Sequence, residues 1–139
     1  MRVLIDTNIL ISAALFPESV PAQAYIRAVM PPNDAVVCDY SMDELRRVYN
    51  RKFPRRIQDF ERFVSLLTLS AEIVRTPPVE EQVPAESSIR DVNDRPILRA
   101  AIAAKVDVLL TGDRDFLESS ITNPQIMTAA EFVSITDRN

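Results

Sequence analysis

The chain has 139 residues, 47% of them hydrophobic and 26% charged, with a formal net charge of −4, an ordinary globular balance that argues against wholesale disorder. It contains no histidine, one glycine (Gly112) and one cysteine (Cys38). Those absences exclude Ser-His-Asp and Cys-His catalysis, histidine-bearing zinc sites, glycine-built phosphate loops, dinucleotide fingerprints and an intramolecular disulfide. The length suits one domain over residues 1–139. No apolar run approaches the roughly 18 residues of a membrane span, and the first residues make a poor signal peptide, so a cytoplasmic protein without membrane contact is expected. Chemistry must come mainly from carboxylates, amides, hydroxyls and arginines.

In chain order, Val3-Leu4-Ile5 reads as a buried strand that ends at Asp6, with a short helix over Asn8–Leu15. A second helix spans Val20–Met30 and stops at Pro31-Pro32. Ala35–Cys38 is a second strand, followed by Ser41 as helix N-cap and an apolar stripe of Met42, Leu45, Val48 and Tyr49. Pro54 breaks that helix, and Ile57, Phe60, Val64 and Leu67 define the next. Glu72–Arg75 reads as a third strand. Thr76–Arg90, rich in proline and glutamate and without periodicity, reads as a surface connection with no assigned role. Ile97, Leu98, Ala101 and Ile102 stripe a helix with Pro96 in its first turn. Val106–Leu110 is a fourth strand, Phe116-Leu117 a helical turn, Gln125–Thr128 a fifth strand and Ala129–Ile135 a last helix. Short strands alternating with helices point to a parallel sheet covered on both faces.

Acidic residues recur where elements change: Asp6 after the first strand, Glu44 after Ser41, Asp91 and Asp94 before the Pro96 helix, and Asp113 and Asp115 after the fourth strand. Strand ends and helix starts of an open parallel sheet share one rim, where such folds bind ligands. Each acid also has a structural explanation. Ser41 and Glu44 fit a capping box, or Glu44 pairs with Arg47. Asp91, Asp94 and Asp113 fit helix caps, and Asp6 can accept the amides of Asn8 and Ile9. Four like charges on one rim, however, repel unless they hold a cation or protons. Carboxylate oxygens are hard ligands suited to Mg²⁺ or Mn²⁺.

With Val3–Leu10 (carrying Asp6-Thr7-Asn8), Ser41–Leu45, Arg90–Asp94 and Thr111-Gly112-Asp113-Arg114-Asp115-Phe116 in this order, the chain resembles PIN-domain ribonucleases, of the kind found as toxins in bacterial and archaeal toxin–antitoxin pairs. The resemblance implies an α/β fold, a three-layer α/β/α sandwich around a mostly parallel five-stranded sheet. It also implies an acidic pocket holding one or two Mg²⁺ or Mn²⁺ ions. Asp6, Glu44, Asp94 and Asp113 match the family's core acids, Asn8 its polar supporting position, and Asp91 and Asp115 are secondary candidates. The implied activity is RNA phosphodiester hydrolysis, with an antitoxin protein and a second copy of the chain as partners. A catalytically weak RNA-binding or scaffold protein is the alternative reading. Seven of the 16 basic residues lie together, Arg46, Arg47, Arg51, Lys52, Arg55, Arg56 and Arg62. This strip follows Glu44 and suits an RNA backbone, with Arg46, Arg47, Arg51 and Lys52 nearest; the plain alternative is a solvated helix face.

Overall fold

The computed structural model describes residues 1–137. In chain order its elements are β1 (Arg2–Ile5), α1 (Thr7–Leu15), α2 (Val20–Val29), β2 (Asp34–Cys38), α3 (Asp39–Lys52), α4 (Ile57–Ser70), β3 (Glu72–Val74), α5 (Arg95–Ala103), β4 (Val108–Leu110), α6 (Arg114–Leu117), β5 (Gln125–Met127) and α7 (Ala129–Thr136). Short 3-10 turns lie at Pro54–Arg56, Val79–Glu81, Pro84–Ser88 and Val92–Asp94. Among the described residues no single helix is long and apolar enough to cross a membrane.

The five strands form one sheet in the order β3-β2-β1-β4-β5, and every neighbouring pair is parallel. The side chains of β1 alternate between two cores. Val3 and Ile5 pack with residues of α1, α2, α3, α4 and α7, whereas Leu4 packs with Ile97, Leu98, Ala100 and Ala101 of α5 and Phe116 of α6. Helices therefore cover both faces, which is why these strands read as continuous aliphatic runs. The order also fixes a switch point. From β1 the chain winds outward to β2 and β3, then returns to place β4 on the other side of β1. The connections leave in opposite directions there, and a crevice opens at the carboxyl ends of β1 and β4.

Two local expectations are corrected. Ser41 is not an N-cap: α3 starts directly at Asp39, with Cys38 in the cap position. Ser41 is buried, its hydroxyl 3.4 Å from the Cys38 sulfur. The neighbouring chain supplies what a capping loop would have supplied. Thr76 accepts the Tyr40 amide at 3.3 Å through Oγ1, and its own amide donates to Asp39 Oδ1 at 2.9 Å. A tertiary contact thus overrides a local sequence preference, and the Ser41–Glu44 capping box does not form.

The connection over residues 76–90 is also more than surface. It contributes buried Ile89 and buried Glu86, and Glu86 meets buried Arg99 of α5. Arg99 Nη2 donates to Glu86 Oε1 at 2.7 Å and Arg99 Nε to Oε2 at 3.2 Å, while Arg99 Nη1 donates to the Pro77 carbonyl at 2.9 Å. The Val83 amide donates to Glu86 Oε2 at 2.6 Å. Burial pushes the Glu86 carboxyl up, but these hydrogen bonds outweigh it and hold the group below its ordinary range. No periodicity announces such a clamp, because it is one residue from each partner.

A carboxyl depressed in the folded state stabilises fully above its unfolded pKa, and that contribution drains away as pH falls through the folded value. Glu86→Gln leaves the Arg99 guanidinium buried without its counter-charge, and should cost roughly 3 kcal/mol at pH 7. In urea denaturation the gap between wild type and variant should narrow as pH falls from 5 to 3. A constant gap would rule out the ion pair as its source.

Candidate metal centre

The crevice at the switch point contains a cavity of about 240 Å³ lined by Asp6, Thr7, Asn8, Ile11, Glu44, Val48, Asp94 and Asp113. Each acid arrives by a different route. β1 runs straight into α1, so Asp6 sits at the helix cap, and its Oδ1 accepts the Thr7 amide at 2.7 Å. The acceptor geometry differs from the expected one, since Asn8 is not the donor. Oδ2 of Asp6 accepts the Thr111 hydroxyl at 2.7 Å. Glu44 projects from the second turn of α3. Neither structural explanation for it is realised, because among the described residues it has no ion pair with Arg47 and no capping bond. Asp94 ends the Val92–Asp94 turn at the head of α5 and makes no side-chain capping bond. Asp113 does cap α6, through an Asp115 amide 2.8 Å from its Oδ1.

Asn8 closes the floor on the β4 side by accepting the Gly112 amide through Oδ1 at 3.3 Å. Thr111 is a residue whose role the sequence did not announce. Its hydroxyl donates to Asp6 and accepts the Asp113 amide at 3.0 Å, so one buried group sets the spacing of two acids. Thr7 is a second. It is 3% exposed, and among the described residues its buried Oγ1 has no hydrogen-bond partner; the buried Oδ2 of half-exposed Asp94 receives no hydrogen bond either. Both residues line the one cavity.

The remaining candidates lie elsewhere. Oxygens of Asp91, Asp94 and Asp115 fall within 4.8 Å of one another, but Asp91 and Asp115 do not line the cavity. They gather on the outer side of Asp94. Asp91 Oδ1 accepts the Asn93 amide at 2.9 Å, and Asp115 pairs with Arg90 at 2.9 Å. Arg46, Arg47, Arg51 and Lys52 are exposed along α3. The Arg46 guanidinium lies 5.8 Å from the centre of the Phe60 ring. Tyr49 and Phe53 are core residues in ring contact at 5.6 Å, as their spacing implied.

Burial pushes Asp6 up to about 6 despite the bonds from Thr111 and Thr7, with the charges of Glu44 and Asp113 adding to the rise. Asp94 is pushed up to about 8, by burial first and then by Asp113. These are the effects of crowding carboxylates in a site of low dielectric. The donor set consists of hard oxygens, and two residues of the cavity lining, Thr7 and Asp94, each carry a buried oxygen that lacks a hydrogen-bond donor among the described residues. Both features fit a hydrated divalent cation of the Mg²⁺ type.

A parallel sheet with acids gathered at its switch point defines a class of carboxylate-lined α/β proteins. Within it, the PIN domain family model matches residues 2–115. The chain belongs to the PIN domain family. No curated protein sequence gives a significant match. Among solved structures, the chain is similar to VapBC2 of Rickettsia felis, determined bound to a DNA fragment from their promoter. That match has a TM-score of 0.69, 16% identity, and covers 92% of this chain and 98% of that one. It is similar also to VapBC-1 of nontypeable Haemophilus influenzae, with a TM-score of 0.64, 20% identity, and coverage of 94% of this chain and 99% of that one.

Carboxyls raised in the folded state favour it at low pH, and that contribution is lost as pH rises through the folded values. The metal-free protein should therefore lose stability as pH rises from about 4, the ordinary carboxyl range, to about 6 through Asp6 and to about 8 through Asp94. Asp94→Asn should flatten the upper part of this decline and gain on the order of 2 kcal/mol at pH 8. Urea titrations in excess chelator measure both. Equal pH slopes for variant and wild type would show that Asp94 is not under strain.

Proposed function

We propose that this protein is a Mg²⁺- or Mn²⁺-dependent ribonuclease that hydrolyses RNA phosphodiester bonds. Asp6, Glu44, Asp94 and Asp113 hold one or two ions, and Asn8 supports them. The observation that carries this reading is the pair of buried, partnerless oxygens, Thr7 Oγ1 and Asp94 Oδ2, on a cavity that also holds three further carboxylates. A bound divalent ion supplies a water of lowered pKa and neutralises charge on the phosphoryl oxygens. The protein's own residues do the rest. Thr111 and the Thr7 amide orient Asp6, Asn8 holds the Thr111-Gly112 segment, and Ile11 and Val48 give the cavity an apolar wall. Asp91 and Asp115 remain secondary ligands on the outer side of Asp94.

Arg47 and Arg51, with Lys52 beside them, lead an RNA backbone to the cavity, while Arg46 lies against the Phe60 ring on another side of α3. Supporting this, Glu44, Arg47, Val48 and Arg51 share one face of α3 by helical spacing, and Glu44 and Val48 line the cavity. The biological reading is a toxin of a toxin–antitoxin pair in the cytoplasm, neutralised by an antitoxin protein and acting as a homodimer. The two similar structures are both VapBC assemblies, and α4 carries exposed Leu66 and Leu69, at 59% and 86%, suited to a protein contact.

With Mn²⁺ present, wild type should cleave a fluorescent single-stranded RNA. Chelator should abolish this, and Asp6→Asn should lower the rate at least about 100-fold, since even outer partners of metal ligands cost 10–100-fold. Metal-indifferent RNA binding unaffected by Asp113→Asn, with no cleavage, would identify a scaffold instead.

The double substitution Arg47→Ala, Arg51→Ala should weaken RNA binding and flatten its salt dependence. The log–log slope should fall by about 0.7 per charge removed, the value for single strands. An unchanged slope would return the strip to the status of a solvated helix face.

A further inference from the structure

The turn that carries Asp94 has little to hold it. Asp91, Val92 and Asn93 are exposed, Val92 at 66%. Its internal bonds are local, the Asn93 amide to Asp91 Oδ1 at 2.9 Å and the Asp94 amide to the Asp91 carbonyl at 3.0 Å. A 3-10 turn of this kind is held weakly by such bonds alone. Among the described residues, one side chain from another element donates a hydrogen bond to its backbone: Tyr40 of α3, whose hydroxyl donates to the Asn93 carbonyl at 2.8 Å.

Tyr40 itself stands on a firm base. Its amide is taken by Thr76 Oγ1, the preceding Asp39 accepts the Thr76 amide, and Ser41 and Leu45 of the same helix are fully buried. Tyr40 lies one turn before Glu44, on the same helix face. The phenol thus spans from the helix that presents Glu44 to the turn that presents Asp94, two acids that line the same cavity.

Given the metal-ion reading of that cavity, we infer that Tyr40 is a positioning residue that sets the Glu44–Asp94 spacing through the Asn93 carbonyl. It does not touch the ion. The acceptor is a backbone atom, so the identity of residue 93 is immaterial to the bond while the Tyr40 hydroxyl is essential. Losing an outer hydrogen bond of this type weakens metal binding by about 10-fold or more without unfolding the site.

The test compares wild type, Tyr40→Phe and Asn93→Ala. In metal-free protein, hydrogen exchange at the Asp94 amide should be several-fold faster in Tyr40→Phe. Calorimetric titration with Mn²⁺ should show affinity about 10-fold weaker in Tyr40→Phe, with a Tm within about 4 °C of wild type, the scale of one hydrogen bond. Asn93→Ala should match wild type in both measurements. Equal Mn²⁺ affinity in Tyr40→Phe and wild type overturns the role of Tyr40 while leaving the site reading intact. Loss of affinity that follows a larger drop in Tm overturns it as well, by assigning the effect to general destabilisation. A wild type that binds no Mn²⁺ at all fails the metal-ion reading and this inference with it, and the exchange result then has no functional meaning.

Discussion

The hydrogen bond from the Thr111 hydroxyl to Asp6 Oδ2, 2.7 Å long and buried, joins the ends of β1 and β4 at the place where the sheet changes winding direction. Asp6 is 4% exposed, and an ionised carboxylate with that burial is costly unless it is bonded. Thr111 answers that cost while its backbone amide continues the sheet to the Met127 carbonyl at 2.9 Å. Its hydroxyl oxygen also receives the Asp113 amide. The Asp6 amide meanwhile bonds the Leu110 carbonyl at 3.0 Å. Strand pairing and acid placement are therefore one structure. The spacing of Asp6 and Asp113 is set by sheet geometry, which is among the stiffest elements a small protein has.

A buried and a half-buried carboxyl near α5, Glu86 and Asp94, show opposite solutions to the same problem. Glu86 has Arg99 as a bidentate partner and is held below its ordinary range. Asp94 is driven up to about 8 by loss of water around it and then by its neighbour Asp113. Nothing in folding requires the second arrangement. A neutral or apolar residue at position 94 would pack without the repulsion. A site that gathers acids without an internal cation is unsatisfied until something cationic or protic enters, and strain of this kind concentrates where proteins bind and react. The Glu86–Arg99 clamp secures the middle of α5 while the acids strain its N-terminal end.

Much of this was legible in the residues, for identifiable reasons. Val3–Ile5 and Val108–Leu110 are aliphatic without interruption because helices cover both faces of the sheet. Asp6-Thr7-Asn8 and Thr111-Gly112-Asp113 stand out because polar residues at the ends of such strands have few structural uses. The failures share a cause too. Ser41 followed by Glu44 satisfies a local capping rule, yet Thr76, 35 positions later than Ser41, satisfies the α3 amides instead. Glu86 lies in a stretch without periodicity, and its partner Arg99 is not one of the apolar residues that stripe α5. Thr111 and Tyr40 act through single hydroxyls. A hydroxyl carries no pattern along the chain, so its role emerges only when its acceptor is in place.

The charge distribution on α3 reconciles an acidic protein with the polyanionic substrate proposed for it. Asp39 stands in the first turn, and Arg51 and Lys52 in the last, an order that suits the helix dipole by itself. The same order serves the proposed function. Seven residues separate Glu44 from Arg51, about 10 Å along a helix axis, close to one Debye length at physiological salt. A phosphate held at Arg51 is thus near enough for the cavity to feel its charge and far enough to stay out of the acid cluster. Since the dipole explains the sign of the charges but not the helix face that Arg47 and Arg51 share with Glu44 by spacing, the second feature is the informative one. Glu44 and Val48 enter the cavity lining, and Arg47 and Arg51 continue that face past its rim. The net charge of −4 averages over two regions that a nucleic acid would meet one after the other.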